Sequence, residues 1–312
     1  ADGNAELLRD RLEASRDTLF EVRKERIHPG KDDKILANWN GLMIDAMARA
    51  GLALDRTDYV DTAIKAAQFL LDNLMKDDRL LHSYRLGVSQ FNGYLDDYAC
   101  LANSLVTLYE VTADSQWLKQ ALALCQQIVE HFHDDQLGGF FYTSDDHESL
   151  IFRNKDAHDS SVPSGTSMAT TVLLRLGILT GNQEWITIAE QSIQNSVESL
   201  MTAPLGFGQM LLALDFAATE STQLAMVAAD KATALSAIAP YFKRFIPTRV
   251  IGYKVSESIE PSLEQLFEGR DSNGIEATLF VCNGFTCQEP WQGIGRIHES
   301  CDTIGRGFSD NK

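Results

Sequence analysis

Several things are scarce in this chain of 312 residues, and each scarcity excludes a class. No apolar run approaches the ~20 residues that a membrane-crossing helix needs. The start, Ala1-Asp2-Gly3-Asn4, offers neither a basic nor an apolar stretch, so no signal peptide is legible. It also lacks an initiator methionine, which reads as part of a longer protein. Basic residues are outnumbered, 27 against 44 acidic, for a net charge of −17. Such a field repels phosphate backbones and argues against nucleic-acid binding. The cysteines are five and scattered, at 100, 125, 282, 287 and 301. Cys100 and Cys125 fall in apolar helical patterns and read as small core residues. Cys282 and Cys287 have the wrong gap for a redox turn and no second pair for zinc, which leaves a structural role or simple proximity. His131 and His133, two apart, cannot share a helix face, so no metal site is read there. No Gly-x-Ser-x-Gly elbow is present, which makes Ser164 a poor nucleophile. A cytoplasmic setting, without cofactor or membrane, is the expectation.

What is there is a globular composition, 44% hydrophobic, with strong helical periodicity. Residues 5–26 form an amphipathic helix pattern that ends at His28-Pro29-Gly30. Helix pairs are then expected at 36–54 and 59–75, at 97–112 and 114–133, and at 165–180 and 183–200. The second helix of each pair opens on a related signature: Asp58-Tyr59-Val60 before Ala63, Asp114 with Trp117-Leu118 before Ala121, and Asn182 with Trp185-Ile186 before Ala189. A cap, an aromatic, an aliphatic and then a small residue one turn on suits a helix packed closely on its neighbour. Three matched αα-hairpins are a repeat architecture. The links between hairpins are long and β-prone, at 80–86, 138–143 and 149–152. Long links in a compact domain are usually functional. After a further helix near 206–218, strands at 223–228, 249–253 and 277–282 with helices at 231–244 and 259–268 read as a small α/β module. The expected division is 1–220 for the hairpins and 221–312 for the module.

Three short acidic segments precede the first helices, and Asp33, Asp97 and Asp159 in them lie 64 and 62 residues apart. The near-constant spacing suggests that the three acids converge on one rim. Two carboxylates across a cleft can protonate a leaving oxygen and activate water. The competing reading is helix capping, which aspartate does well. Around these acids stand candidate contacts for a polar ligand: Lys31, Asp32, Asn38 and Asn40 in the first segment, Asp96 and Tyr98 in the second, Lys155, Asp156 and Ser164 in the third. Trp39 could be a platform for a sugar ring, or a core residue at a helix start. Pro163-Ser164-Gly165 reads as a helix start with a serine cap. His82 and His158, in the inter-hairpin links, could abstract a proton beside a sugar carbonyl.

These residues carry a resemblance. Lys31-Asp32-Asp33-Lys34 with Asn38-Trp39-Asn40-Gly41, then Asp96-Asp97-Tyr98-Ala99, Gly138-Gly139-Phe140-Phe141, and Lys155-Asp156 with Pro163-Ser164-Gly165 resemble the thioredoxin-domain-containing proteins related to spermatogenesis-associated protein 20. The similarity runs over roughly residues 28–290 and includes Val281-Cys282 and Phe285-Thr286-Cys287. It implies an (α/α)6-toroid like that of six-hairpin glycosidases and N-acylglucosamine 2-epimerases, so the fold class expected is a mainly α toroid of αα-hairpins, incomplete here, with a small C-terminal α/β module. Members of that family begin with a thioredoxin-like domain bearing a Cys-x-x-Cys-type motif. That motif has no counterpart in this sequence, so no thioredoxin activity is carried over, and the absent N-terminal half becomes an expected partner. The functional expectation is a sugar-binding or carbohydrate-active domain with Asp33, Asp97 and Asp159 at its pocket. The alternatives are a non-catalytic scaffold and a sugar epimerase or isomerase.

Overall fold

The computed structural model describes residues 2–148, 150–256, 259–284 and 286–304. Ser149 and Phe285, both used above, lie outside the described residues. The chain divides into two compact units, residues 1–34 and 35–312. In the first unit, helix α1 (Asp2–Lys24) matches the amphipathic pattern, and its Leu8, Leu12, Leu19 and Phe20 are exposed.

The second unit begins with strand β1 (Ile35–Leu36) and the three expected hairpins. These are α2 (Ala37–Ala53) with α3 (Thr57–Leu74), α4 (Leu95–Thr112) with α5 (Ser115–Phe132), and α6 (Gly165–Thr180) with α7 (Gln183–Thr202). Helix α8 (Gly208–Ala218) follows. The first helices pack side by side in the order α2, α4, α6, α8, and α3, α5 and α7 back them. This is an inner row and an outer row, a toroid-like arc of hairpins. The rows differ in the way their positions demand. Outer α5 buries one stripe, Trp117, Leu118, Ala121, Leu124 and Ile128, whereas inner α4 is buried along nearly its whole length. That explains why the inner helices carry little polar patterning.

The signature of the second helices has a packing cause. A methyl placed on Gly51 would come within 2.5 Å of the Val60 side chain, and one on Gly177 within 2.7 Å of Ile186. Gly51 and Gly177 thus let the aliphatic residue of the signature press against the first helix of the same hairpin. The second hairpin has Tyr109 where these have glycine, and there the tyrosine hydroxyl accepts a hydrogen bond from the Tyr253 backbone, 2.9 Å away. The three signatures set the true repeat. Ala63, Ala121 and Ala189 are each buried, and their separations are 121 − 63 = 58 and 189 − 121 = 68. On that register Asp97 corresponds to Trp39 and Gly165 (97 − 58 and 97 + 68), not to Asp33 and Asp159. The spacing of the three acids is therefore not the period of the fold.

Between α3 and α4 the chain forms β2 (Met75–Lys76), β3 (Arg79–Arg85) and β4 (Val88–Asn92). The β3–β4 hairpin pairs Leu81 with Asn92 and turns at Leu86-Gly87, both with positive φ, as a tight two-residue turn requires. The second expected β-prone link does not form strands. Gly138 and Gly139 both have positive φ and bend the chain away, leaving one isolated bridge between His133 and Phe140.

The α/β module joins the same compact unit as the hairpins. β5 (Thr222–Ala228) pairs in parallel with β6 (Arg249–Val255) through α9 (Lys231–Phe242), and antiparallel with β7 (Ala277–Asn283). Short β8 (Thr286–Cys287) and β9 (Trp291–Gln292) pair with β7, and α10 (Ile294–Ile304) packs on α9. The expected helix at 259–268 is instead two three-residue 3-10 turns, starting at Pro261 and Gln265, which suffice to bury Leu263, Leu266 and Phe267. Cys282 and Cys287 are joined by a disulfide between paired positions of β7 and β8. The module docks on the C-terminal end of α4, where the Tyr253 hydroxyl donates to the Glu110 carbonyl at 2.5 Å. The N-terminal ends of the inner helices lie at the opposite end of the arc.

Two glycines bring those N-terminal ends together. A Cβ on Gly41 would stand 2.7 Å from the Cys100 carbonyl carbon and 2.8 Å from the Leu101 nitrogen. One on Gly165 would stand 2.9 Å from the Asp96 nitrogen. Both obstacles are backbone and cannot swing aside. Gly41→Ala should therefore cost about 2–3 kcal/mol in urea unfolding, the scale of overpacking a rigid core. Gly295→Ala in α10, where nothing lies within 4 Å of the added carbon, should be neutral or stabilising.

Candidate functional site

The candidate site is built where α2 and α4 begin. Asp97 is the third residue of α4 and is 0% exposed. Its Oδ1 accepts the Asn38 backbone N–H at 3.0 Å, and its Oδ2 accepts the Tyr94 backbone N–H at 2.9 Å. The second contact is the reciprocal arm of a capping box. Oδ2 also stands 2.8 Å from Nδ1 of His82, on β3. A buried carboxylate that takes two amide protons is acceptor only, so His82 Nδ1 carries the proton and donates it. That places the ring's proton on Nδ1.

Asp96, one residue earlier, is different. It is half-buried; Oδ2 accepts from Asn38 Nδ2 at 2.7 Å and Oδ1 from the Asp97 N–H at 3.1 Å. Burial, and next the negative charge of Asp97, push its pKa up to about 6. A carboxyl poised there can give and take a proton near neutral pH. Aromatic rings enclose the other side. Tyr94 stacks on Tyr142 at 4.9 Å between centroids, and His82 meets Tyr94 edge-on at 5.2 Å. The His147 ring lies 5.5 Å from Tyr94, and both of its nitrogens are without a hydrogen-bond partner among the described residues. Burial, then the charges of Asp96 and Asp97, hold the Tyr142 hydroxyl well above its usual pKa; Asp156 adds to the effect. The Tyr142 loop is pinned to this place because its carbonyl accepts the Leu95 N–H at 3.0 Å.

The structure sorts the sequence candidates sharply. Asn38 is buried and bridges both aspartates, as just described. Trp39 is 60% exposed, so it is not a core residue. Asn40 Nδ2 donates to the Leu36 carbonyl at 2.8 Å, inside its own helix start. Tyr98, in contrast, is 0% exposed, packs on Phe132 and accepts the Leu80 N–H at 2.9 Å; it is a core residue without ligand surface. Lys31, Asp32 and Asp33 belong to the first unit, where Asp32 pairs with Lys34 at 3.2 Å.

Around the third segment the structural reading also wins. Asp159 Oδ1 accepts the Ser164 N–H at 2.9 Å and Oδ2 the Gln209 N–H at 2.8 Å, so it clips the α6 approach to the start of α8. Ser164 caps α6 by accepting the Ser167 N–H at 3.1 Å. Lys155 pairs with Asp134 at 2.5 Å and caps the Gly138 carbonyl at 2.7 Å. Asp156 accepts the His158 N–H at 2.9 Å, and the His158 ring rests edge-on against Phe207 on the connection to α8. Asp97 and Asp159 each hold a separate helix start with both oxygens occupied, which is the capping arrangement.

Tyr94, Tyr142 and His147 were missed as site residues. Only their proximity in sequence to Asp96 and to the Gly138-Gly139-Phe140-Phe141 motif signalled them. Among the described residues, His131, Asp145 and Asp146 bring possible metal-ligand atoms within 4.8 Å of one another. Asp145 holds the His131 ring at 2.7 Å and Asp146 pairs with Arg79 at 2.7 Å. No described helix is long and apolar enough to cross a membrane.

No protein-family model matches the chain. Human spermatogenesis-associated protein 20 is 28% identical over 305 residues, covering 92% of this chain and 38% of that protein. The rat protein of the same name is 34% identical over 221 residues, covering 67% of this chain and 28% of that protein. The chain thus spans well under half the length of these relatives. Among solved structures, a GH76 α-mannanase from Bacteroides thetaiotaomicron aligns with a TM-score of 0.45 at 17% identity, covering 54% of this chain and 46% of that one. A cellobiose 2-epimerase from Bacillus thermoamylovorans aligns with a TM-score of 0.45 at 15% identity, covering 54% and 45%. By its sequence relationship, the chain belongs to the family of spermatogenesis-associated protein 20.

Proposed function

We propose that the rim formed by α2, α4 and β3 binds a sugar-like ligand and performs acid–base chemistry on it. The observation that supports this reading is the cluster of Asp96, Asp97 and His82. It joins a carboxyl that titrates near pH 6 to an imidazole whose tautomer is held by a buried carboxylate. A carboxyl whose pKa is raised by burial beside an oriented imidazole suits an acid and a base. Asp96 supplies the proton to a leaving or carbonyl oxygen. His82 removes a proton from water or from a carbon beside a carbonyl, with Asp97 positioning it. Exposed Trp39 and the Tyr94–Tyr142 stack provide apolar faces suited to sugar rings, and the amides of Asn38 and Asn40 flank Trp39 in sequence.

The held histidine favours a second reading within the same site. Epimerisation needs one base at a carbon and one acid at the neighbouring oxygen, which His82 and Asp96 provide without the water-spaced acid pair of an inverting hydrolase. A panel of oligosaccharides and reducing disaccharides separates the two. Hydrolysis releases new reducing ends. Epimerisation in heavy water places deuterium on the carbon beside the carbonyl.

Asp96→Asn and His82→Gln should each lower kcat by about 10²-fold or more, the scale of losing one general acid or base. Asp97→Asn should lower kcat and also Tm, because it breaks the cap and leaves two backbone donors less well paired. If all three variants retained kcat, the reading would be wrong.

The Asp96 pKa also predicts a stability profile. Its folded value, about 6, lies above the unfolded value of 3.8. The neutral form is favoured by folding, so the contribution is fully present below pH 4 and is lost as pH rises through 6. Asp96→Asn removes that loss. Its stability relative to wild type should rise by on the order of 1 kcal/mol between pH 4 and pH 7, discounted for partial exposure. Urea titrations of both proteins at four pH values measure the difference; parallel profiles would assign the acid elsewhere.

A further inference from the structure

The gap between Cys282 and Cys287 is wrong for a redox turn, but the sheet brings the two together by another route. They stand opposite each other in the β7–β8 pairing and are disulfide-bonded. Asn283 and Thr286 form the next pair, and Gly284 beyond them has a positive φ of 55°. β8 is the outer strand of the order β6-β5-β7-β8, and access to the two cysteines differs accordingly. Cys282 on β7 is 1% exposed, whereas Cys287 on β8 is exposed.

The bond is not what holds this corner of the fold together. It joins residues five positions apart, and a disulfide constrains the unfolded chain least when its loop is short. β7 is paired with β5 from Ala277 to Asn283, independently of any sulfur. Past Cys287, the Gln288 N–H donates to the Val281 carbonyl at 2.9 Å and keeps the chain beside β7. Opening the disulfide leaves all of these hydrogen bonds in place.

A cation stands against both sulfurs. Arg270, half-buried on the approach to β7, places Nη2 at 3.2 Å from Cys282 Sγ and at 3.2 Å from Cys287 Sγ. Its Nη1 donates to the Leu266 carbonyl, and the guanidinium lies 5.9 Å from the Phe280 ring centroid. Among the described residues it has no carboxylate partner, and the adjacent Asp271 is taken by Lys254. Burial pushes the Arg270 pKa below its ordinary value. A disulfide sulfur is a weak acceptor, so the closed bond compensates this charge poorly. A thiolate in the same place carries a full negative charge and accepts a charge-assisted hydrogen bond. The guanidinium therefore favours the product of reduction over the closed bond.

We propose that Cys282 and Cys287 form a thiol-exchange site whose substrate is a dithiol and whose leaving thiolate is held by Arg270. A thiolate of the dithiol attacks Sγ of the exposed Cys287. The S–S bond breaks, and its electron pair leaves on Cys282 Sγ beside the guanidinium. The second thiol of the dithiol loses its proton and attacks the reagent's own sulfur in the mixed disulfide. That closes the reagent into a disulfide and releases Cys287, which takes up a proton. Two electrons pass from the dithiol to the pair; of the two protons the dithiol gives up, one ends on Cys287 and one in solvent. A thiol of lower pKa leaves faster, so Arg270 acts on the rate as well as on the equilibrium.

The test equilibrates the chain with graded ratios of reduced and oxidised dithiothreitol, quenches with N-ethylmaleimide and maps the alkylated cysteines by mass spectrometry. In the folded chain both Cys282 and Cys287 should become alkylated without denaturant. Arg270→Gln should move the equilibrium at least about tenfold toward the disulfide, a potential lower by about 30 mV, and Arg270→Lys should recover part of that shift. With glutathione in place of the dithiol, the mixed disulfide should map to Cys287. Because Arg270 also braces Leu266 and Phe280, a further arm leaves it intact. In Cys287→Ser, the Cys282 thiolate is followed by its ultraviolet absorbance against the variant with both cysteines replaced by serine. It should form below the ordinary thiol pKa of about 8.5. A disulfide that opens only on unfolding overturns the proposal. So does a glutathione adduct on Cys282, an equilibrium unmoved by Arg270→Gln, no recovery in Arg270→Lys, or a Cys282 that ionises above the ordinary value.

Discussion

The carboxylate of Asp97 is the tie on which the rim depends. It lies in the interior, where an ionised group persists only if its oxygens are satisfied. Three elements supply the donors: the start of α2 through Asn38, the start of α4 through Tyr94, and β3 through His82. Removing any one partner would leave charge uncompensated, so the three elements are held in one register. The close backbone approach at Gly41 and Gly165 makes this geometry possible, since a side chain at either position would separate the inner helices by the width of a methyl. Asp97 is thereby saturated. The adjacent Asp96 inherits the consequence: its neighbour's charge and its own burial favour the protonated form, and a carboxyl with an unusual pKa appears beside an oriented imidazole.

The opposite half of the arc is organised by a different tie. Tyr109 and Tyr253 exchange contacts across the α4–β6 boundary, and the Glu110 carbonyl is taken by the Tyr253 hydroxyl. This fixes the α/β module against the C-terminal ends of the inner helices and brings Arg249 to the network of Arg175 and Glu110. Buried ion pairs of this kind are weak evidence for stability, because desolvation offsets their attraction. Their value lies in specification: Arg175 reaches Asn103, Thr107 and Glu110 at once and so sets how α6 lies on α4.

The sequence revealed the hairpins well and the acids badly. Signatures around Val60, Leu118 and Ile186 mark helices because they serve local packing, and local packing repeats with the fold. The spacing of Asp33, Asp97 and Asp159 seemed to repeat too, but it mixes three different jobs: a residue of the first unit, the cap of α4, and the clip between the α6 approach and α8. Capping and catalysis draw on the same residue type at the same helix end, so composition cannot separate them. The 138–143 link read as a strand because its aromatics favour one, yet two glycines with positive φ redirect it and deliver Tyr142 to the rim. Likewise the helix expected at 259–268 is reduced to two short turns once the burial of Leu263, Leu266 and Phe267 is satisfied.

By itself, the sequence determined the helical repeat, the α/β character of the C-terminal segment, the family, and the neighbourhood of the site at the long inter-hairpin links. Those follow from periodicity and caps, which act within a few residues. Only the tertiary structure decided that Asp97 caps α4 while burial raises the Asp96 pKa, that Tyr98 is core while Trp39 is exposed, and that Arg49, Arg175 and Arg249 meet in one cavity. These outcomes depend on burial and on charges brought together from distant positions, such as Arg175 and Glu110, 65 residues apart, and desolvation and Coulomb interaction have no signature in the order of the chain.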